Sequence, residues 1–177
     1  NDMKRIFRIL NKTADNSRLN EMDRYTQHGS TSTLMHTIAV AHYSVALARR
    51  FRIPVHKREL IRGALLHDYF LYDWHEKHPD NRMHGFTHAS KALKNADKDF
   101  LLNRLERDII EKHMFPLTVK PPTTREGWIV CLVDKGCSLM ETFGKDPYWE
   151  LRNELKTKYG DLYKKLKEHE GNEIKKV

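Results

Sequence analysis

The stretch Gly63-Ala64-Leu65-Leu66-His67-Asp68-Tyr69 constrains this chain more than any other. Small and apolar residues run directly into a histidine beside an aspartate. Such a run belongs in a core, and it carries the polar pair to the edge of that core. A carboxylate buried there is costly unless a cation compensates it. His with Asp is a mixed nitrogen and oxygen pair suited to Mn, Fe, Co, Ni or Zn. For an isolated dipeptide, a helix-end Asp paired with Lys or Arg is the plainer alternative, so the decision rests on the rest of the chain.

The rest of the chain reads as helices. Met3, Ile6, Phe7, Ile9 and Leu10 mark a short amphipathic helix, and Leu19, Met22 and Tyr25 a second one behind Asn16-Ser17. The Ser/Thr cluster after Gly29 caps a long helix from Thr33 to Phe51, in which His36 shares an inward stripe with Val40, Ser44 and Leu47. Pro54 ends that helix. The next runs from His56 to about Leu71 and delivers His67-Asp68. The aromatic segment Tyr69, Phe70, Tyr72 and Trp74 follows and offers faces on which a base could stack, although core packing accounts for it as well. Histidines then crowd at 75, 78, 84 and 88. Thr87 is expected to cap a helix from His88, and Asp99 one from Phe100 to Lys112, with His113 at its end. Thr124 caps a helix packing through Trp128, Ile129, Leu132, Val133 and Leu139, and Asp134 lies inside that apolar run. A charged helix over 148–170 closes the chain. Neither an internal repeat nor a convincing strand is evident, so the expected fold class is all-α.

Composition bounds the function. The 32 Lys and Arg against 24 Asp and Glu give a formal charge of +8, which favours anionic partners without choosing among them. No apolar run approaches the roughly 20 residues of a membrane span. Cys131 and Cys137 have no CxxC spacing and suit a reduced, cytoplasmic protein.

An inward His36, the His67-Asp68 pair and a core-facing Asp134 come from three separate helices, which is how helical bundles build metal sites. In this combination the chain resembles the HD-domain metal-dependent phosphohydrolase superfamily. The family pattern H…HD…D reads here as His36, His67-Asp68 and Asp134, within Leu65-Leu66-His67-Asp68 and Leu132-Val133-Asp134-Lys135. The resemblance implies an HD-domain-like helical bundle over residues 30–145. Residues 1–29 would be N-terminal helices packing on it, and 146–177 a charged C-terminal helix. Some members of the superfamily hold two ions. The matching segments, His84-Gly85-Phe86-Thr87-His88 and the His113 that follows Ile109-Ile110, imply a set of His36, His67, Asp68, His84, His113 and Asp134, with Asp68 bridging; the alternative exchanges the roles of His84 and His88.

On that resemblance the cofactor is one or two divalent transition-metal ions, and the activity is hydrolysis of a phosphoester on a small phosphorylated substrate, a nucleotide being preferred. Asp68 is the expected catalytic group, and His88, Lys135 and Asp73 are candidates to meet substrate. The cyclic-dinucleotide branch carries Gly and Lys after the HD pair and a GYP signature; this chain has Phe70 and Leu71 and no GYP. The competing reading is a catalytically silent nucleotide- or RNA-binding module, with nucleic acid disfavoured because Lys and Arg are spread along the chain.

Overall fold

Helix α2 (Thr33–Arg50) is the centre of the fold: every residue from Thr33 to Ala41 is buried. The computed structural model describes residues 2–15, 17–28, 31–69 and 84–168, with backbone alone for 26–28, 84–87 and 161–168. Ser32 starts α2 by accepting a hydrogen bond from the Met35 N–H. At the other end, Arg52 adopts a left-handed φ of 52° and Ile53 N–H returns to the Ala48 carbonyl. This is a Schellman closure, so the helix stops before Pro54 can act.

Around α2 stand α3 (Lys57–Leu66), α5 (Arg104–Lys112) and α6 (Arg125–Phe143). α2 packs on α3, α3 on α5, α5 on α6 and α6 back on α2, which closes a ring of four helices. Gly63 makes the α3–α5 step possible, since a Cβ at that position would run into the Ile109 side chain. α4 (His84–Asp99) packs on α5.

The terminal helices share the same core. α1 (Asp2–Ala14) buries Met3, Ile6, Phe7 and Leu10 against α2 and α3. Phe7 stacks at 4.1 Å on Tyr159 of α7 (Trp149–Glu168). Burying a side chain of that size contributes about 2–3 kcal/mol.

Several local expectations change. The segment behind Ser17 is a 3-10 turn, Leu19–Arg24, and a minimal antiparallel pair follows, β1 (Thr26–His28) with β2 (Thr31–Ser32). Strands that short carry no alternation to read. α4 begins at His84, so Thr87 lies inside a helix instead of capping one. α5 begins at Arg104 behind a capping box in which Asn103 and Glu106 each bond the other's backbone N–H. Asp99 therefore caps nothing there; it accepts hydrogen bonds from the Tyr69 hydroxyl and Arg18 Nε. On α6, Trp128, Leu132 and Leu139 turn outward, while Ile129, Val130, Cys131 and Cys137 fill the core.

Candidate metal centre

Two of the ring helices end on a histidine. His67 follows the last turn of α3 and His113 the last turn of α5. The final carbonyls of a helix have no partner within it. Each imidazole uses one: His67 Nδ1–H donates to Ala64 O at 2.7 Å, and His113 Nδ1–H to Ile110 O at 2.9 Å. Their Nδ1 protons are thereby spent, and the Nε2 lone pairs point into the ring. His67 Nε2 is buried with no hydrogen-bond partner among the described residues.

His36 enters from α2. Its Nδ1–H donates to Glu141 Oε1 at 2.7 Å, and the Tyr148 hydroxyl donates to the same oxygen at 2.6 Å. Its Nε2 lies 3.1 Å from Asp134 Oδ1 of α6 and 3.6 Å from Asp68 Oδ2. His67 Nε2 is 3.4 Å from Asp68 Oδ2 and 3.5 Å from Asp134 Oδ1. One ligand atom from each of His36, His67, Asp68 and Asp134 lies within 4.8 Å of the others, and all four residues are buried.

The other oxygen of Asp68 faces a second group. Oδ1 is 2.8 Å from His88 Nε2 and 3.3 Å from His113 Nε2, and those two nitrogens are 2.8 Å apart. Asp68, His88 and His113 thus form a second buried set able to hold an ion. Together they are the buried His/Asp clusters that a divalent cation needs, with nitrogen and carboxylate donors in the mixture suited to transition metals. An orphaned, buried imidazole nitrogen beside two carboxylates fits a cation.

Charge in the cluster is balanced by proximity. Burial works against ionising Asp68, yet the imidazoles of His67, His88 and His113 hold its carboxyl well below the usual range. Asp134 is likewise held far down, against burial, by His36 and His67. Burial opposes charge on His36, but Asp134 and Glu141 raise it well above its ordinary value. His67 is raised against burial by Asp68 and Asp134, and His113 is lowered by burial. Metal binding at such a cluster is coupled to proton release.

Against the sequence expectations, His36, His67, Asp68, His113 and Asp134 meet. His88, expected on the substrate side with a ligand role as the alternative, stands among the described donors. With α4 starting at His84, His88 falls in line with Ala92 and Ala96 on the buried side of that helix. The His84 side chain and Asp73 lie outside the described residues, as do Phe70, Tyr72 and Trp74. Tyr69 is wholly buried with its ring edge-on to Phe100, so it offers no face for a base. The Lys135 ammonium, expected to meet a substrate phosphate, donates to the carbonyls of His113 and Cys131 and to the Cys131 sulfur. It ties α6 to the end of α5.

Glu141 was not expected. It lies seven residues after Asp134, two helical turns along the same face of α6, and that spacing was the available signal.

A family model described as the HD domain matches residues 33–136. No curated protein and no solved structure matches the chain. The matched span is more than half of the sequence and contains each donor named above, from His36 to Asp134. The chain belongs to the HD domain family.

Proposed function

We propose that the protein is a metal-dependent phosphohydrolase that cleaves a phosphoester of a nucleotide or related phosphorylated small molecule at a two-ion centre. The observation that carries this reading is Asp68, whose two carboxylate oxygens face two separate donor groups. His36, His67, Asp68 and Asp134 would hold one ion, and Asp68, His88 and His113 the other. A bound divalent cation supplies Lewis acidity toward a phosphoryl oxygen and lowers the pKa of water from about 15.7 to roughly 7.

The chain's own residues do the positioning. Asp68 fixes the spacing between the two donor groups. His67 and His113 keep their Nε2 lone pairs aimed because their Nδ1 protons are committed to helix-end carbonyls. Glu141, itself held by Tyr148, sets the tautomer and ring plane of His36. Burial of the donors strengthens each electrostatic contact. The net charge of +8 suits an anionic substrate.

The test is a phosphate-release screen over nucleotides and phosphorylated metabolites. Chelator-stripped protein is reloaded separately with Mn, Fe, Co, Ni, Zn or Mg. Release is expected with at least one ion, and Asp68→Ala should lose bound metal and activity together. Full activity in that variant would end the proposal. A metal-replete protein inert toward the whole panel would favour the silent binding module.

A further inference from the structure

Helices α1 and α3 wall a cleft of about 930 Å³ that none of the metal-donor residues lines. Its cations come from both walls: Lys4, Arg5, Arg8 and Lys12 on α1, Lys57 and Arg58 on α3. Lys4, Arg8 and Lys12 recur every four residues, a step of about 6 Å along one side of the helix. These three and Arg5 are exposed and make no ion pair among the described residues.

Acids cancel this charge only in part, and on the α3 wall, where Arg58 pairs with Glu59 at 3.4 Å. Asp2 is engaged by Arg49 at 2.9 Å and Lys57 at 3.8 Å. Asp99 accepts from Arg18 and from the Tyr69 hydroxyl. Asp15 is left against the four cations of α1. Arg62, which also lines the cleft, is committed to Glu106 and lies over the Phe100 ring. Half-buried Ile9 and Phe100 supply an apolar part of the lining.

We infer that this cleft binds a nucleoside polyphosphate, at a site separate from the metal centre. Its phosphates would lie along the four α1 cations, with Lys57 exchanging its 3.8 Å contact with Asp2 for a phosphate oxygen, and the base against Ile9 and Phe100. A concave volume of this size falls in the range of small-ligand sites, about 300–1,000 Å³. An extended nucleic acid strand would call for an open basic track instead.

Calorimetric titration of the full chain with the non-hydrolysable β,γ-imido analogue of ATP tests this. With metal removed by chelator, one saturable event is expected, weakening as salt rises. Arg8→Glu and Lys57→Glu should each reduce affinity about tenfold or more, the effect of losing a charge-assisted contact. Arg8→Gln should move it in the same direction, with thermal melting checking that each variant is folded. Asp68→Asn should leave this binding unchanged, which separates it from occupancy of the metal centre. Absence of saturable binding, or affinity indifferent to both charge reversals, overturns the inference. Loss of binding in Asp68→Asn overturns the separate site. Tripolyphosphate binding as tightly as the analogue overturns the nucleoside part, and a single-stranded RNA oligomer binding more tightly overturns the ligand class.

Discussion

His67 and His113 make the same hydrogen bond at the ends of two different helices. In each, Nδ1–H donates to the carbonyl three residues back, and the two rings meet edge to face with centroids 4.8 Å apart. The helix termini thus fix both tautomers before any ligand arrives, and Asp68 lies between the two Nε2 atoms. A helix end is rigid backbone, so the lone pairs are aimed by the fold and not by flexible side-chain contacts.

His88 completes the second donor group from α4. His88→Ala is expected to lower the metal stoichiometry of the loaded protein by one ion and leave the group around His36 occupied. His84→Ala, tested beside it, reports whether that residue adds a donor to either group. Elemental analysis of the two variants side by side decides the matter, and an unchanged stoichiometry in His88→Ala would remove this residue from the centre.

Among the described residues, Glu141 reaches the donor groups through His36. Groups that orient a ligating histidine typically contribute 10–100-fold to metal affinity. Glu141→Ala should therefore weaken metal binding about 10–100-fold. Tyr148→Phe, which removes one hydrogen bond to the same oxygen, should act in the same direction and less strongly. Competition with a chromophoric chelator measures both. Equal affinity in wild type and Glu141→Ala would show that His36 needs no such support.

Gly63 sits mid-helix where alanine would raise helix propensity by about 1 kcal/mol. The Ile109 side chain occupies the space an added methyl would need. Overpacking of this kind typically costs about 1–3 kcal/mol. Gly63→Ala should therefore lower the melting temperature in spite of its better propensity. It should also weaken metal binding, because α3 carries His67 and Asp68 at its end. A melting point above that of the wild type would contradict the packing described here.

Asp108 accepts hydrogen bonds from the backbone N–H and hydroxyl of both Thr123 and Thr124, and pairs with Lys112 at 2.7 Å. Burial pushes its carboxyl up, but these partners, Lys112 first, bring it down to about 2. A carboxyl depressed in the folded state stabilises fully above its unfolded value of about 4. That contribution is lost as pH falls from about 4 to about 2. Asp108→Asn should flatten this part of the acid-unfolding curve. Near neutral pH it should cost about 1.5–3 kcal/mol, the loss of a charged hydrogen-bond acceptor. Melting curves between pH 2 and 7 would show it, and parallel curves for the two proteins would refute it.

The sequence by itself determined most of the helices and set His36, His67, Asp68, His113 and Asp134 within or at the end of apolar runs. Thr124 caps α6 as its position implied, α2 follows an apolar periodicity that turns His36 toward the core, and Asp134 is buried within the apolar run of α6. Those signals are local, written in residue spacing within one helix. The tertiary structure decided what each inward group meets. It brought Glu141 to His36, turned His88 toward Asp68, spent Lys135 on the His113 carbonyl and left Trp128, Leu132 and Leu139 outside. It also gathered cations from α1 and α3 into one cleft, although they are scattered in the sequence. A helical pattern tells which side of a helix is apolar. Which neighbour covers that side, and at what phase, depends on how the helices pack together.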